Sequence, residues 1–172
     1  EVVRLAVDAG IEVLEWGGDV HVPPGEVAAA ARVRRLTEEA GLVVLSYGSY
    51  LVLDDATAGA PAARIDAVLD TAVALGAPWV RVWGGFGVEP DATGGEWDAV
   101  VAAGRRVAAA AASRHLLLVL EFHGGTPTAT AAGAVRLLDS IGSPACRTAW
   151  QPPYWDPTDP DREVVDLGAL AP

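Results

Sequence analysis

The chain has no lysine, no asparagine and no methionine among its 172 residues, and only one cysteine. Its 12 basic side chains are therefore all arginine. Without lysine there is no Schiff-base aldolase chemistry, no anchor for pyridoxal phosphate and no Walker A loop. Without asparagine there is no N-glycosylation site. The lone cysteine, Cys146, excludes an internal disulfide and a cysteine zinc cluster, and reads as a small buried residue. No apolar run approaches the length of a membrane span. No basic-then-apolar segment reads as a secretory signal. These absences lead to the expectation of a cytoplasmic protein that does not meet a membrane. Positive charge is also scarce. The net charge is −11, and such a field repels phosphate backbones, so nucleic acid is not an expected partner.

Apolar residues make up 51% of the chain and charged residues 20%, which suits a globular domain with a real core. The chain opens with Glu1 and lacks methionine, so residues 1–172 are expected to form a single partial domain of a longer protein.

One pattern recurs: helix, glycine, short β-like run, polar loop, helix. Helices are predicted over 1–9, 26–40, 61–75, 96–114 and 128–141, with Thr128 as the cap of the last. A weak helix is predicted over 161–170. Strands are predicted over 11–16, 42–47, 79–83, 116–123 and 145–151. A repeat of roughly 30 to 40 residues suits a βα unit with its crossover helix. Regular alternation implies a parallel sheet with helices outside, either open and doubly wound or a section of a (β/α)8 barrel. No G-x-G-x-x-G loop follows a strand, which removes the main support for a dinucleotide-binding fold.

The polar residues favour the barrel. Glu15, Trp16, Asp19 and His21 close the first strand, and Ser46, Tyr47 and Ser49 the second. Arg81 and Trp83 lie on the third, Glu121 and His123 on the fourth, Trp150 and Gln151 on the fifth. Barrels gather their chemistry at the C-terminal mouth, from several strands. The most informative stretch is the apolar run that ends in Glu121-Phe122-His123-Gly124-Gly125. A charge on the inner face of a strand is costly unless it is paired or holds a metal. Glu15 and Arg81 lie on alternate strands, which fill the same interior layer of a barrel, and are expected to meet as an ion pair. His21 and His123 are candidate substrate contacts, weighed against ordinary structural hydrogen bonds. Trp16, Trp83 and Trp150 offer indole faces that suit a sugar, weighed against core packing.

The segments Ile11-Glu12-Val13-Leu14-Glu15-Trp16-Gly17-Gly18-Asp19-Val20-His21-Val22-Pro23, Ser46-Tyr47-Gly48-Ser49-Tyr50, Val80-Arg81-Val82-Trp83-Gly84-Gly85, Leu120-Glu121-Phe122-His123-Gly124-Gly125-Thr126 and Trp150-Gln151-Pro152-Pro153 together resemble the sugar phosphate isomerase/epimerase family of xylose isomerase-like barrels. That resemblance implies an α/β fold, a partial (β/α)8 TIM barrel of about five parallel strands equivalent to strands two to six. It implies proton transfer next to a carbonyl in a sugar or polyol, with Glu121 catalytic. Trp16, His21, Arg81, Trp83, His123 and Trp150 would bind substrate. A divalent metal, Mn2+ or Mg2+, would be held by Glu121 and Gln151, although the family more often has a carboxylate at the latter position. The resemblance leaves open an inosose dehydratase-like lyase, or a fragment that binds a sugar or a protein partner without turnover. A homo-oligomer is a further expectation, because an open barrel leaves two sheet edges unpaired.

Overall fold

The computed structural model describes residues 1–152 together with Gly168 and Leu170. In chain order the elements are α1 (Val2–Asp8), β1 (Val13–Gly17), α2 (Val27–Glu39), β2 (Val43–Val52), α3 (Asp55–Ala58), α4 (Ala62–Leu75), β3 (Trp79–Trp83), α5 (Gly95–Ala112), β4 (Leu117–Glu121), α6 (Ala131–Ile141) and β5 (Cys146–Ala149). The strands form one five-stranded sheet in the order β1-β2-β3-β4-β5. Every neighbouring pair is parallel. This is the expected open section of a barrel: α/β, without the reversal of strand order that marks a doubly wound sheet. The helix predicted over 161–170 lies outside the described residues apart from Gly168 and Leu170.

The pleat divides each strand between two faces. Val80, Val82, Leu118 and Leu120 point to the helices and are fully buried. Each such side chain contributes about 1.5–3 kcal/mol through its removal from water. Ile65, Val68, Leu69, Ala72 and Leu75 recur at helical spacing on α4 and complete that layer. Gly76 ends α4 at φ 76° and Gly142 ends α6 at φ 66°, left-handed conformations that glycine adopts without steric cost. On the other face, Val13, Val43, Leu45 and Leu117 are exposed near the amino ends of the strands, where the sheet is open. Cys146 is buried on the helix side, and burial pushes its thiol up to about 12, which makes it inert as a nucleophile. Among the described residues no helix is long and apolar enough to cross a membrane.

Three local departures from the sequence reading shape the site. β2 runs to Val52 instead of stopping at Tyr47. It carries two irregularities: one against β1 between Leu14 and Glu15, and one against β3 between Gly48 and Val52. A short α3 follows, where Asp54 accepts the Thr57 backbone N–H at 2.7 Å. Helix α6 begins at Ala131, and its cap is Thr130, whose hydroxyl accepts the Gly133 N–H at 3.1 Å. Thr128 is not a cap; its hydroxyl donates to the Glu121 carbonyl at 2.6 Å.

The start of α6 is tightly fitted. A Cβ on Gly133 would lie 2.2 Å from the Pro127 carbonyl oxygen and 2.7 Å from the Pro90 ring. Alanine there gains about 1 kcal/mol of helix propensity. The clash with backbone cannot be relieved by a rotamer change. Gly133→Ala is therefore expected to cost about 2 kcal/mol net, read from its urea midpoint. An unchanged midpoint would mean that the turn at 127–133 yields freely.

Candidate active site at the carboxyl ends of the strands

Glu15 on β1, Arg81 on β3 and Glu121 on β4 form one ionic chain across the concave face. The Arg81 Nε donates to Glu15 Oε1 at 3.0 Å, and its Nη1 donates to Glu121 Oε2. The side chains are 35%, 21% and 16% exposed in that order, so Glu121 is the most enclosed. Glu15 and Arg81 reach each other across β2 because Gly48 lies between them. A Cβ at Gly48 would sit 2.7 Å from the Arg81 guanidinium and 2.8 Å from the Glu15 carboxylate. The slip in register beside Glu15 also matters, since it sets Ser46 opposite Glu15. The Ser46 hydroxyl donates to Glu15 Oε2 at 2.6 Å. Burial works against the Arg81 charge, but the two carboxylates outweigh it and hold its pKa above the ordinary value.

Gln151 completes the grip on Glu121. Its amide nitrogen donates to Glu121 Oε1 at 3.1 Å and to the Phe122 carbonyl. Both partners are acceptors, so the nitrogen must occupy that position. The backbone beneath is fixed by buried threonines. Thr126 donates to the His123 carbonyl at 2.7 Å, and Thr128 lies 3.0 Å from Thr126.

Above the ionic chain lies an aromatic wall. Trp83 meets Tyr50 edge-on at 5.1 Å, Phe86 at 5.5 Å and His123 at 6.1 Å. Phe86 and His123 are perpendicular at 5.3 Å. The Arg81 guanidinium lies 5.6 Å from the centre of the Trp83 ring. The irregularity in β2 places Tyr50 in this wall, and its hydroxyl donates to Asp19 Oδ2 at 3.0 Å. That bond raises the Tyr50 pKa, while a backbone N–H at Val20 and the Tyr50 hydroxyl lower that of Asp19.

The structure thus brings Glu121, Arg81, Gln151, Trp83 and His123 together with Glu15 and Ser46, joins Glu15 to Arg81 as expected, and adds Tyr50 and Phe86. It separates Trp16 and Trp150 from them. Trp16 is buried in the main core and packs with His21 at 5.6 Å. Trp150 packs with Phe122, Ala131 and Ala134 against α6. His21 follows the carboxyl end of β1 as expected, but its ring rests on Trp16. The metal pair expected at Glu121 and Gln151 does not fit the arrangement. Arg81 already pairs with one Glu121 oxygen, and Gln151 turns its donor toward the other. Among the described residues no group of three or more His, Cys, Asp or Glu side chains is placed to hold a metal ion.

A parallel sheet with outer helices, and polar groups gathered at its carboxyl edge, defines a (β/α) barrel, here a partial one. The chain belongs to the xylose isomerase-like TIM barrel family, whose model matches residues 3–153. Comparison with curated protein sequences gives no significant match. Among solved structures, a xylose isomerase domain protein from Planctomyces limnophilus superposes with a TM-score of 0.77 at 15% identity, over 98% of this chain and 63% of that one. The 3-keto-D-glucoside 4-epimerase from E. coli gives 0.72 at 17% identity, over 98% and 68%. A probable 3-DHS dehydratase from Bacillus anthracis, involved in petrobactin synthesis, gives 0.70 at 19%, over 86% and 55%. The chain therefore spans 55–68% of the lengths of these three relatives. At such identities the likeness shows the fold alone.

Proposed function

We propose that the protein works as a sugar isomerase or epimerase, moving a proton next to a carbonyl with Glu121 as the base. The observation that carries this reading is the posture of Glu121. Arg81 and Gln151 each take one of its oxygens, which fixes the carboxylate in orientation. A carboxylate has about four acceptor positions, so two remain for a substrate proton. In the proposed step Glu121 removes the proton from the carbon beside the carbonyl, and the C–H electron pair moves into the enediolate. Protonated Glu121 returns the proton to the neighbouring carbon to give the isomer, and a proton taken from water on the opposite face gives the epimer. The wall of Tyr50, Trp83 and Phe86 suits the apolar face of a sugar. The fold's likeness to a 3-keto-D-glucoside 4-epimerase agrees with this substrate class.

A second reading begins with the same proton abstraction and ends in loss of a β-hydroxyl as water. The likeness to a probable 3-DHS dehydratase favours keeping it. One experiment separates the two. The protein is incubated in D2O with a panel of ketoses, 3-keto-glycosides and inososes, with and without Mn2+, and followed by proton NMR. Deuterium entering the carbon beside the carbonyl without loss of water supports the isomerase reading. Appearance of an unsaturated ketone supports the lyase. Neither exchange nor elimination across the panel would count against Glu121 as a base.

A further inference from the structure

The polar groups at the mouth turn their hydrogen-bond donors toward the protein. The Tyr50 hydroxyl donates to Asp19 at 3.0 Å. The His123 Nδ1 lies 2.8 Å from the Gly124 carbonyl, which can only accept, so that nitrogen carries the donated proton. The Gln151 amide donates to Glu121 and to the Phe122 carbonyl, and the Arg81 Nε and Nη1 donate to Glu15 and Glu121. The Trp83 indole N–H is buried, with no partner among the described residues. What these groups offer a ligand is ring surface together with carboxylate and phenol oxygens.

The same surface carries excess negative charge. Glu15 and Glu121 outnumber Arg81 between them, and Asp19 adds a further carboxylate beside Tyr50. The fields of Asp19, Arg81 and Glu121 all reach the Tyr50 hydroxyl, so the ionic chain and the aromatic wall form one electrostatic site. Tyr50 and Phe86 are half exposed. Their rings meet Trp83 at interplanar angles of 83° and 57°, which makes a corner of ring surfaces instead of a stack. Trp83 already attracts one cation, the Arg81 guanidinium at 5.6 Å from its centre. A neutral sugar would cover the rings and leave the excess charge unanswered, and an anion would be repelled. A protonated amine brings positive charge and N–H donors in a single group, and both are what this surface lacks.

We propose that the mouth takes a substrate bearing a protonated amine, an amino sugar or amino polyol, whose ammonium rests on the Tyr50, Trp83 and Phe86 rings beside Asp19 while its reacting carbon meets Glu121. The inference rests on Glu121 being the reacting group, and it narrows the substrate by charge.

The test is a titration with two amines, 1-amino-1-deoxy-D-fructose and D-glucosamine, each against its neutral parent, D-fructose or D-glucose, at pH 7. Binding is followed through the ring NMR signals of Trp83. At least one amine is expected to bind roughly fivefold more tightly than its parent, the gain typical of a cation on exposed aromatic rings. Two substitutions of exposed side chains then assign the preference. Phe86→Leu keeps an apolar side chain and removes the π face. Asp19→Asn removes the charge and keeps an oxygen to accept from Tyr50. Each is expected to at least halve the preference and leave the fold intact. Amines that bind no more tightly than their parents, or a preference that either substitution leaves unchanged, overturns the proposal; the second result would assign the preference to the chain's diffuse negative charge. Binding is read without turnover. Amine preference without proton exchange in D2O would therefore fault the role of Glu121 and leave the ammonium site standing, while exchange without amine preference would fault the ammonium site alone.

Discussion

Replacing Glu121 by glutamine is expected to slow proton exchange at the substrate carbon by about 10²–10⁴-fold, the usual contribution of a positioned general base. The fold is expected to survive. Glutamine keeps one oxygen, which still accepts from Arg81. Its amide nitrogen then faces the Gln151 nitrogen, donor against donor, where Glu121 now accepts at 3.1 Å. Gln151 cannot turn over freely, because its oxygen would then face the Phe122 carbonyl. One lost hydrogen bond of this kind costs about 1 kcal/mol. The variant should melt a few degrees lower and still bind sugar, with only the exchange rate collapsing. Exchange within about tenfold of the parent rate would mean that another group removes the proton.

The pleat explains which site residues were legible in the sequence. Alternation along a strand places Glu15 and Arg81 on one face, and the ion pair between them follows from their positions on alternate strands. The same alternation works against Trp16. It is the neighbour of Glu15, so an inward carboxylate implies an outward indole, and Trp16 is buried in the core. Trp150 stands in the same relation to Gln151, which reaches Glu121 while Trp150 packs on the α6 side. With a period of two, both members of such a pair cannot face the mouth. Tyr50 and Phe86 were missed for a different reason. Tyr50 sits in an irregular stretch of β2 after Gly48, where a glycine and a broken register look like a turn. Phe86 lies in a loop with no periodicity to read. The regular strand β3 matches its predicted bounds of 79–83, because nothing interrupts its alternation. Gly48 is the least legible contributor. Its part is to lack a side chain where Glu15 and Arg81 cross, and only the placement of three strands reveals that.

Removing the central cation should be the most damaging change to the stability of the site. Arg81→Met leaves Glu15 and Glu121 facing each other without a counter-charge. Breaking a fully buried ion pair costs about 3–5 kcal/mol, whereas an exposed pair is worth at most about 1. These three side chains are between 16% and 35% exposed, which places the expected loss between those limits, at about 2 kcal/mol. For a chain of this size that corresponds to a fall of roughly 5 °C in melting temperature. Methionine fills much of the same volume, so the loss measures charge rather than a cavity. The decisive comparison adds Glu15→Gln to the Arg81→Met background. It removes one of the stranded carboxylates and should restore about half of the lost stability, although Glu15→Gln alone is destabilising. That reversal of sign is the mark of direct coupling in a double-mutant cycle. Arg81→Lys should fall between the parent and Arg81→Met, since it keeps the charge but loses the fork that reaches both carboxylates. Added salt should narrow the gap between Arg81→Met and the parent by screening the exposed part of the repulsion. If Arg81→Met melts with the parent protein, or if the two substitutions simply add, then Glu15 and Glu121 do not share Arg81 in solution. Glu121 would then lack the fixed orientation on which its role as a base depends.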